Sequence, residues 1–280
     1  MSYTTLVDVA TLKAHLADAD WRVVDVRHQL VDTAYGERAY AEGHIPGAVF
    51  MHCDRDLAGP LAGRNGRHPL PSPEHLIERL GLLGIGPQTQ VVVYDDAQGM
   101  IAGRLWWLLR WLGHDKVALL DGGLSAWLAA GELLTTEQPQ VSPVRFIGSP
   151  AQDMTVDVAY LLRHLETPQL HLVDARGPDR FRGENESIDP VGGHIPGAVN
   201  RFFKDNLLPD GRFKSSEVLR AEWLAILAGA QPSEVVHQCG SGVSACLNLL
   251  AMTLAGLPGS LLYPGSWSEW CADPGRPVAR

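Results

Sequence analysis

One cysteine in this sequence is followed by residues that could make it a nucleophile. Cys239 begins the run Cys239-Gly240-Ser241-Gly242-Val243-Ser244, which lies between an apolar stretch and a helical pattern. Two glycines let successive peptide N–H groups turn inward, and the positive end of the following helix adds to their field. This environment favours an anion and should lower the pKa of the Cys239 thiol. The run predicts a thiolate for nucleophilic catalysis, with the hydroxyls of Ser241 and Ser244 available to the sulfur or to a bound substrate.

The other cysteines lack such surroundings. Cys53, Cys246 and Cys271 form no Cys-x-x-Cys pair and have no paired histidines nearby. This spacing does not suit structural zinc, and we expect no metal. In a reducing compartment, unpaired cysteines are mostly small buried apolar residues. We therefore expect these three to pack in the interior.

The matching position in the first half of the chain carries acidic residues instead. Tyr94 ends an apolar stretch and is followed by Asp95-Asp96-Ala97-Gln98-Gly99. A carboxylate of Asp95 or Asp96 in such a turn cannot perform thiol chemistry. We expect this first copy of the turn to be catalytically silent.

The two turns belong to a tandem repeat. The segment Val23-Val24-Asp25-Val26-Arg27 returns as Leu172-Val173-Asp174-Ala175-Arg176, and the seven residues from Gly43 recur unchanged from Gly193. The stretch 135–150 between the copies is polar, contains prolines and has little periodicity, which suits a linker. We expect a first domain at 1–134, a linker at 135–150 and a second, catalytic domain at 151–280.

Each copy alternates short β-branched runs with helical patterns. The predicted strands are 21–26, 91–94, 117–120, 171–175, 235–238 and 260–263, and the predicted helices are 73–82, 103–112, 216–228 and 243–255. Strands separated by helices give a mostly parallel sheet through right-handed crossovers, with helices on both faces. The sequence therefore predicts an α/β fold. Ligands bind such sheets beyond the carboxyl ends of the strands, which is where Cys239 stands.

Length and charge exclude several classes of function. The chain has 280 residues, 45% of them apolar, which is near the size at which one core divides into two. A formal net charge of −9 gives no general attraction to nucleic acid or to an anionic membrane. We see no secretory signal, and the longest apolar run, 105–112, is too short for a bilayer. We expect a cytoplasmic protein that holds an anionic substrate through local cations.

Together these features resemble the two-domain rhodanese-type sulfurtransferases. The resemblance covers nearly the whole chain and rests on the repeated segments, the run from Cys239 and the ending Tyr263-Pro264-Gly265-Ser266-Trp267-Ser268-Glu269-Trp270. It implies tandem rhodanese-like domains, each a mostly parallel five-stranded sheet, with an inactive first domain. It also implies a persulfide on Cys239, formed from 3-mercaptopyruvate or thiosulfate and passed to cyanide or a thiol. No cofactor is implied, and the oligomeric state stays open.

The resemblance also places residues around Cys239. Arg180 matches the substrate-binding arginine of the family, and a guanidinium can grip a carboxylate or sulfonate through two hydrogen bonds. The loop residues expected to bind substrate are Gly240, Ser241, Gly242, Val243 and Ser244. We expect Arg176, like Arg27 in the first copy, to form a structural ion pair.

Two further residues each have two interpretations. His44 either caps a turn before Ile-Pro-Gly-Ala or approaches the cleft with an aspartate, for which Asp32 is a loose match. Trp267 follows the last predicted strand and either walls the pocket or packs in the interior.

The loop favours 3-mercaptopyruvate as the sulfur donor. Cys-Gly-Ser-Gly-Val-Ser is similar to the loop of mercaptopyruvate sulfurtransferases, which carry Thr at the position of Ser244, whereas thiosulfate enzymes place basic residues just after the cysteine. Those mercaptopyruvate enzymes also carry a second arginine in a Glu-Pro-Arg stretch, and here 186–190 contains none. Thiosulfate therefore stays an alternative donor.

Two other classes of function fit the sequence less well. Cysteine-dependent phosphatases place arginine six positions after the nucleophile, where this chain has Ala245, and this loop is one residue shorter. A non-catalytic binding module would need neither the intact run from Cys239 nor Arg180. We therefore predict a sulfurtransferase.

Overall fold

The computed structural model describes residues 2–165, 167 and 170–280. They divide into two compact units. Unit 1 contains the residues up to Gly59, Pro71–Ala151 and Leu208–Phe213, and unit 2 contains Pro60–Leu70, Gln152–Leu207 and Lys214–Arg280. The stretch 135–150, expected to be a linker, is thus part of unit 1. The segment Pro60–Leu70, although it lies in the first repeat, is part of unit 2.

Unit 1 is built on a five-stranded parallel sheet. Its strands are β1 (Leu6–Val7), β2 (Trp21–Asp25), β3 (Val49–Phe50), β4 (Gln90–Tyr94) and β5 (Val117–Leu120). They are ordered β1-β5-β4-β2-β3, and all neighbouring pairs are parallel. The central strand β4 is buried along its whole length, as expected of a valine-rich strand covered on both faces. The helices are α1 (Val9–His15), α2 (Tyr35–Glu42), α3 (Cys53–Asp56), α4 (Pro73–Leu82), α5 (Ala102–Trp111) and α6 (Gly123–Ala129).

Unit 2 follows the same plan. Its strands are β6 (His171–Asp174), β7 (Val199–Asn200), β8 (Val235–Gln238) and β9 (Leu261–Leu262). They form a parallel sheet ordered β7-β6-β8-β9. The helices are α7 (Val158–His164), α8 (Pro178–Phe181), α9 (Ser216–Leu227), α10 (Ala245–Leu254) and α11 (Ser266–Trp270), and Phe203–Asn206 and Pro232–Glu234 form 3-10 turns.

The predicted α/β fold with parallel sheets is confirmed, with one difference in strand number. Unit 1 has the five expected strands, whereas the described part of unit 2 has four. A single parallel bridge between Thr155 and Leu262 stands where β1 pairs with β5 in unit 1. Because only one residue pair is bridged, this segment does not form a strand.

Local signals explain why the long elements agree with the sequence. Helix α4 spans the predicted residues because the Ser72 side chain accepts a hydrogen bond from the His75 N–H at 3.1 Å and Pro73 takes the first helical position. Gly113 and Gly256 follow α5 and α10 with φ of +84° and +68°, as expected of helix stops. No helix in the described ranges is long and apolar enough to cross a bilayer.

The repeated Asp-x-Arg segment forms a buried ion pair in each unit. The Arg27 guanidinium donates to Asp25 and to a backbone carbonyl of the repeated Gly-His-Ile-Pro-Gly-Ala segment, both at 2.7 Å. Arg176 makes the same two contacts in unit 2, with Asp174 and the equivalent carbonyl, again at 2.7 Å. None of these four side chains is more than 5% exposed. The prediction that Arg27 and Arg176 form ion pairs is confirmed.

We predict that Asp174→Ala lowers the free energy of unfolding by about 3–5 kcal/mol, because it leaves the Arg176 charge buried without its main partner. Urea denaturation followed by tryptophan fluorescence measures this loss. The matched control is Glu184→Ala, which removes an ion pair with Arg182 whose side chains are 52% and 56% exposed. That change should cost less than about 1 kcal/mol. Equal losses of unfolding free energy in the two variants would contradict a stabilising role for the buried Asp174–Arg176 pair.

Candidate functional site

Cys239 occupies the carboxyl end of a central strand in unit 2. It follows β8 directly, and α10 begins at Ala245, so the run from Cys239 to Ser244 is the turn between them. The Cys239 N–H donates to Ser266 Oγ at 3.1 Å, and its carbonyl accepts from the Trp267 N–H at 3.0 Å. The cysteine is thus fixed at its backbone, and it is only 2% exposed.

Glycine is required within this turn. Gly242 has φ of +75°, a conformation that side chains rarely adopt, and a Cβ there would overlap the carbonyl oxygen of Pro264. The Gly240 carbonyl accepts from the Ser268 N–H at 2.9 Å, which ties the turn to α11. The backbone path after Cys239 is therefore set by close packing against the segment 264–268.

The turn leaves peptide donors available. Within the described residues, the N–H groups of Gly240, Ser241, Val243 and Ser244 donate to no backbone carbonyl. Unpaired N–H groups ahead of a helix are suited to binding an anion, such as a sulfur anion or an anionic substrate. The expectation that Cys239 acts as a thiolate here stays a prediction.

The equivalent turn in unit 1 holds a carboxylate. Asp95 accepts four hydrogen bonds of 2.8–2.9 Å from the N–H groups of Ala97, Gly99, Ile101 and Ala102. Burial raises the pKa of the Asp95 carboxyl, and these donors oppose the rise. Its neighbour Asp96 instead accepts from the Tyr35 hydroxyl. Of the two expected aspartates, Asp95 therefore fills the position that Cys239 fills in unit 2.

Arg180 lies beside the Cys239 turn, as expected. A Cβ on Gly240 would lie 3.6 Å from Nη1 and 3.7 Å from Nη2 of Arg180. Its Nε and Nη2 donate to Glu186 at 3.1 and 2.9 Å, and Nη2 also donates to Asp189 at 3.1 Å. The position suits substrate binding, and that role is taken up below as a proposal.

Arg67 also belongs to this site, and sequence reasoning missed it. Its guanidinium pairs with Asp189 through Nη1, and its backbone N–H donates to Ser268 Oγ at 3.1 Å. A Cβ on Gly240 would lie 2.8 Å from Nη2 of Arg67. Arg67 lies in the segment Pro60–Leu70, which is part of unit 2.

A second residue of the same segment contacts the turn. Nδ1 of His68 lies 2.7 Å from Oγ of Ser241, and both side chains are buried. Sequence reasoning identified Ser241 as a hydroxyl donor but had no signal for its partner, because the pair is separated by 173 positions. The contact places an imidazole and a hydroxyl two residues from Cys239.

The two carboxylates that hold Arg180 differ in acidity. Burial alone would raise the pKa of Glu186, but the N–H groups of Asp189 and Ile188 and the Arg180 guanidinium hold it below its usual value. Burial raises the pKa of Asp189, with Arg67 and Arg180 opposing the rise. Glu186 is therefore the firmer counter-charge of Arg180.

His44 does not have the surroundings of a site residue. It lies in unit 1, fully buried, with Nδ1 2.7 Å from the Tyr40 carbonyl and Nε2 3.1 Å from the Glu137 carbonyl. Asp32, its suggested companion, forms an exposed ion pair with Arg38. These contacts favour the interpretation of His44 as a turn residue, and a role in the cleft stays an untested prediction.

Trp267 packs in the interior. Its side chain has 0% exposure, and its indole N–H donates to the Val191 carbonyl at 2.9 Å. The Arg176 guanidinium lies 4.7 Å from the ring centroid. The ring packs against the Arg176 guanidinium, which favours the interpretation of Trp267 as an interior residue.

The other cysteines are buried, as expected. Their exposed fractions are 1% for Cys53, 0% for Cys246 and 7% for Cys271. Burial raises the pKa of Cys53 to about 12 and that of Cys271 to about 11. The thiols of Cys53 and Cys271 are therefore protonated at neutral pH.

Comparisons with known proteins agree with the fold and the repeat. The family model for the rhodanese-like domain matches residues 8–130 and again 157–273. A Pseudomonas aeruginosa protein named "Probable 3-mercaptopyruvate sulfurtransferase" is 50% identical over 281 residues, covering 100% of this chain and 99% of that protein. The thiosulfate sulfurtransferase of Mus musculus is 37% identical over 257 residues, covering 89% of this chain and 84% of that protein. The structure of 3-mercaptopyruvate sulfurtransferase from Leishmania major has 32% identity and a TM-score of 0.84, covering 95% of this chain and 74% of that one.

The chain therefore belongs to the rhodanese-like domain family and carries two such domains in tandem. It is an enzyme of the sulfurtransferase class. The phosphatase and binding-module alternatives are not favoured.

We predict that the thiols of a Cys239→Ser variant react slowly with a disulfide reagent at pH 7 to 8. Cys271 should become reactive only as the pH approaches about 11, since its thiol must first ionise. Titration of the folded variant with the reagent measures the rate of thiol labelling. Titration of the unfolded variant gives the total number of thiols. Rapid labelling of a native thiol at pH 7 in this variant would contradict the prediction.

Proposed function

We propose that this sulfurtransferase takes a sulfur atom from 3-mercaptopyruvate onto Cys239 and passes it to cyanide or a thiol. The observation that carries the proposal is the position of Cys239, at the end of β8 in a glycine turn. Among the described residues, most peptide N–H groups of this turn donate to no backbone carbonyl. Nucleophilic catalysis by a thiolate needs such a stabilised sulfur. Unit 1 has Asp95 at this position, so we propose that unit 2 alone is catalytic.

The first half-reaction moves sulfur onto the enzyme. The Cys239 thiolate attacks the sulfur of 3-mercaptopyruvate, a sulfur–sulfur bond forms, and the carbon–sulfur bond breaks with its electrons passing to carbon. The resulting enolate takes a proton and leaves as pyruvate. The donor thiol loses its proton as the enolate carbon gains one, so the enzyme is left with an anionic persulfide and the charges balance. The peptide N–H groups from Gly240 to Ser244 would stabilise both the attacking thiolate and the terminal sulfur of the persulfide.

The second half-reaction restores the enzyme. Cyanide or an acceptor thiolate attacks the outer sulfur, and the sulfur–sulfur bond breaks with its electrons returning to Cys239. Donor and acceptor then react in separate steps, which gives double-displacement kinetics. No cofactor is needed in either step.

The donor preference is supported by the contact between His68 and Ser241. An imidazole 2.7 Å from a hydroxyl can supply a proton through that hydroxyl, two residues from the reacting sulfur. Pyruvate leaves as an enolate and needs such a proton, whereas sulfite leaves thiosulfate as a stable anion. The pair therefore favours 3-mercaptopyruvate.

Thiosulfate is the second candidate donor. It shares with 3-mercaptopyruvate an anionic end next to the transferable sulfur, and Arg180 beside Gly240 could bind either anion. Relatives of this chain are named for each donor. A cytoplasmic location, and partners limited to small sulfur donors and acceptors, stay predictions from the sequence.

We predict that Cys239→Ser abolishes sulfur transfer from either donor, because the hydroxyl cannot carry a persulfide. The measurements are sulfur release in the steady state and the intact mass after donor treatment, in which the wild-type chain should gain one sulfur atom. Cys271→Ala is the matched cysteine control and should keep both the activity and the mass gain. A Cys239→Ser protein that still gains sulfur and turns over would refute the proposal.

We predict that Ser241→Ala lowers kcat/KM for 3-mercaptopyruvate by about 100-fold, since a positioned proton donor commonly contributes that much. The loss for thiosulfate should be far smaller because sulfite needs no proton. In the wild type, assayed alongside, kcat/KM should be higher for 3-mercaptopyruvate. Ser244→Ala removes a hydroxyl from the same turn and should affect both donors alike. Equal losses for both donors in Ser241→Ala would remove the support for proton transfer.

A further inference from the structure

Two guanidinium groups border the backbone directly after Cys239. A Cβ on Gly240 would lie 2.8 Å from Nη2 of Arg67 and 3.6 Å from Nη1 of Arg180. Because residue 240 has no side chain, the space beside it is left to these two cations. An anionic group placed next to the reacting sulfur would meet both.

On each arginine, the nitrogen nearest to Gly240 is not already engaged. Arg180 uses Nε and Nη2 for Glu186 and Asp189, and Arg67 uses Nη1 for Asp189. In the part of the chain that the structure describes, Nη1 of Arg180 and Nη2 of Arg67 donate to no protein group. Each arginine therefore has an anchored edge and an edge that can bind a ligand.

Asp189 joins the two arginines. One of its oxygens accepts from Arg67 and the other from Arg180, and its side chain is 3% exposed. Two guanidinium groups this close would repel each other without the carboxylate between them. The bridge therefore fixes their spacing and lets both point to one ligand.

We propose that Arg67 is the second cation of the donor site and that it binds, together with Arg180, the anionic carboxylate or sulfonate end of the sulfur donor. This inference rests on the proposed function. The stretch 186–190 carries no arginine of its own, but it supplies Asp189, which holds Arg67 in place. The two oxygens of a carboxylate can accept from one guanidinium nitrogen of each arginine. Arg67 acts by binding the donor, and Asp189 is a positioning residue.

The test compares Arg67→Gln, which removes the charge and keeps most of the side chain, with Arg67→Lys, which keeps the charge. For Arg67→Gln we expect KM for 3-mercaptopyruvate to rise about tenfold, the effect of losing one charged hydrogen bond. For Arg67→Lys the rise should be smaller. Sulfur transfer from the preformed persulfide to 2-mercaptoethanol, a neutral thiol, should change less than KM for the donor in both variants, because this acceptor has no anionic end for Arg67 to bind.

Arg64→Ala is the matched control. Arg64 lies in the same segment, carries the same charge and is exposed, so its removal should leave KM unchanged. The thermal unfolding midpoint of each variant identifies any effect that comes from folding. If Arg67→Gln has the KM of Arg64→Ala while the wild type gains one sulfur from the donor, the role of Arg67 is refuted and the proposed function stands. If the wild type gains no sulfur, the proposed function itself fails.

Discussion

The candidate site depends on the backbone conformation of one turn. Gly242 takes a positive φ against the Pro264 carbonyl, and the carbonyls of Cys239 and Gly240 are tied to the N–H groups that begin α11. A side chain at residue 242 would force this turn away from Pro264. With the turn held, several of its peptide N–H groups donate to no backbone carbonyl in the described part of the chain. The guanidinium groups of Arg67 and Arg180 lie beside residue 240. The site is thus made mainly by the main chain.

The duplicated domain shows what the same turn does with a different residue. In unit 1 the peptide donors are taken up by the Asp95 carboxylate, which therefore stabilises its own loop. In unit 2 the single sulfur atom of Cys239 replaces the carboxylate, and several N–H groups of the turn donate to no backbone carbonyl of the described residues. The turn of unit 1 uses its peptide N–H groups to bind Asp95, whereas the turn of unit 2 can use them to bind a ligand. The chemical difference between the domains follows from one side chain in each turn.

The sequence predicted the features that depend on neighbouring residues. Helix α4, the Arg176 ion pair and the turn after Cys239 are encoded by local periodicity, by a two-residue spacing and by glycines. The contacts of Arg67 and His68 could not be found this way, because their segment and the turn are far apart in the chain and no pattern links them. His44 was ambiguous for a related reason: its repeated motif shows the turn, but only tertiary structure shows that both ring nitrogens contact backbone carbonyls. Strands of two residues, such as β1 and β7, are too short to show alternation.

Because Pro60–Leu70 is part of unit 2, the two repeats cannot be expressed separately without breaking up that unit. A cut placed at the midpoint of the repeat would separate Cys239 from the arginine and the histidine that contact its turn. The carboxyl-terminal half expressed alone would keep its nucleophile and lose these neighbours. The two copies of the fold are therefore not independent modules, because unit 2 includes a segment of the first repeat that contacts the candidate site. This dependence gives a reason for the chain to keep a domain that carries Asp95 where the other carries Cys239.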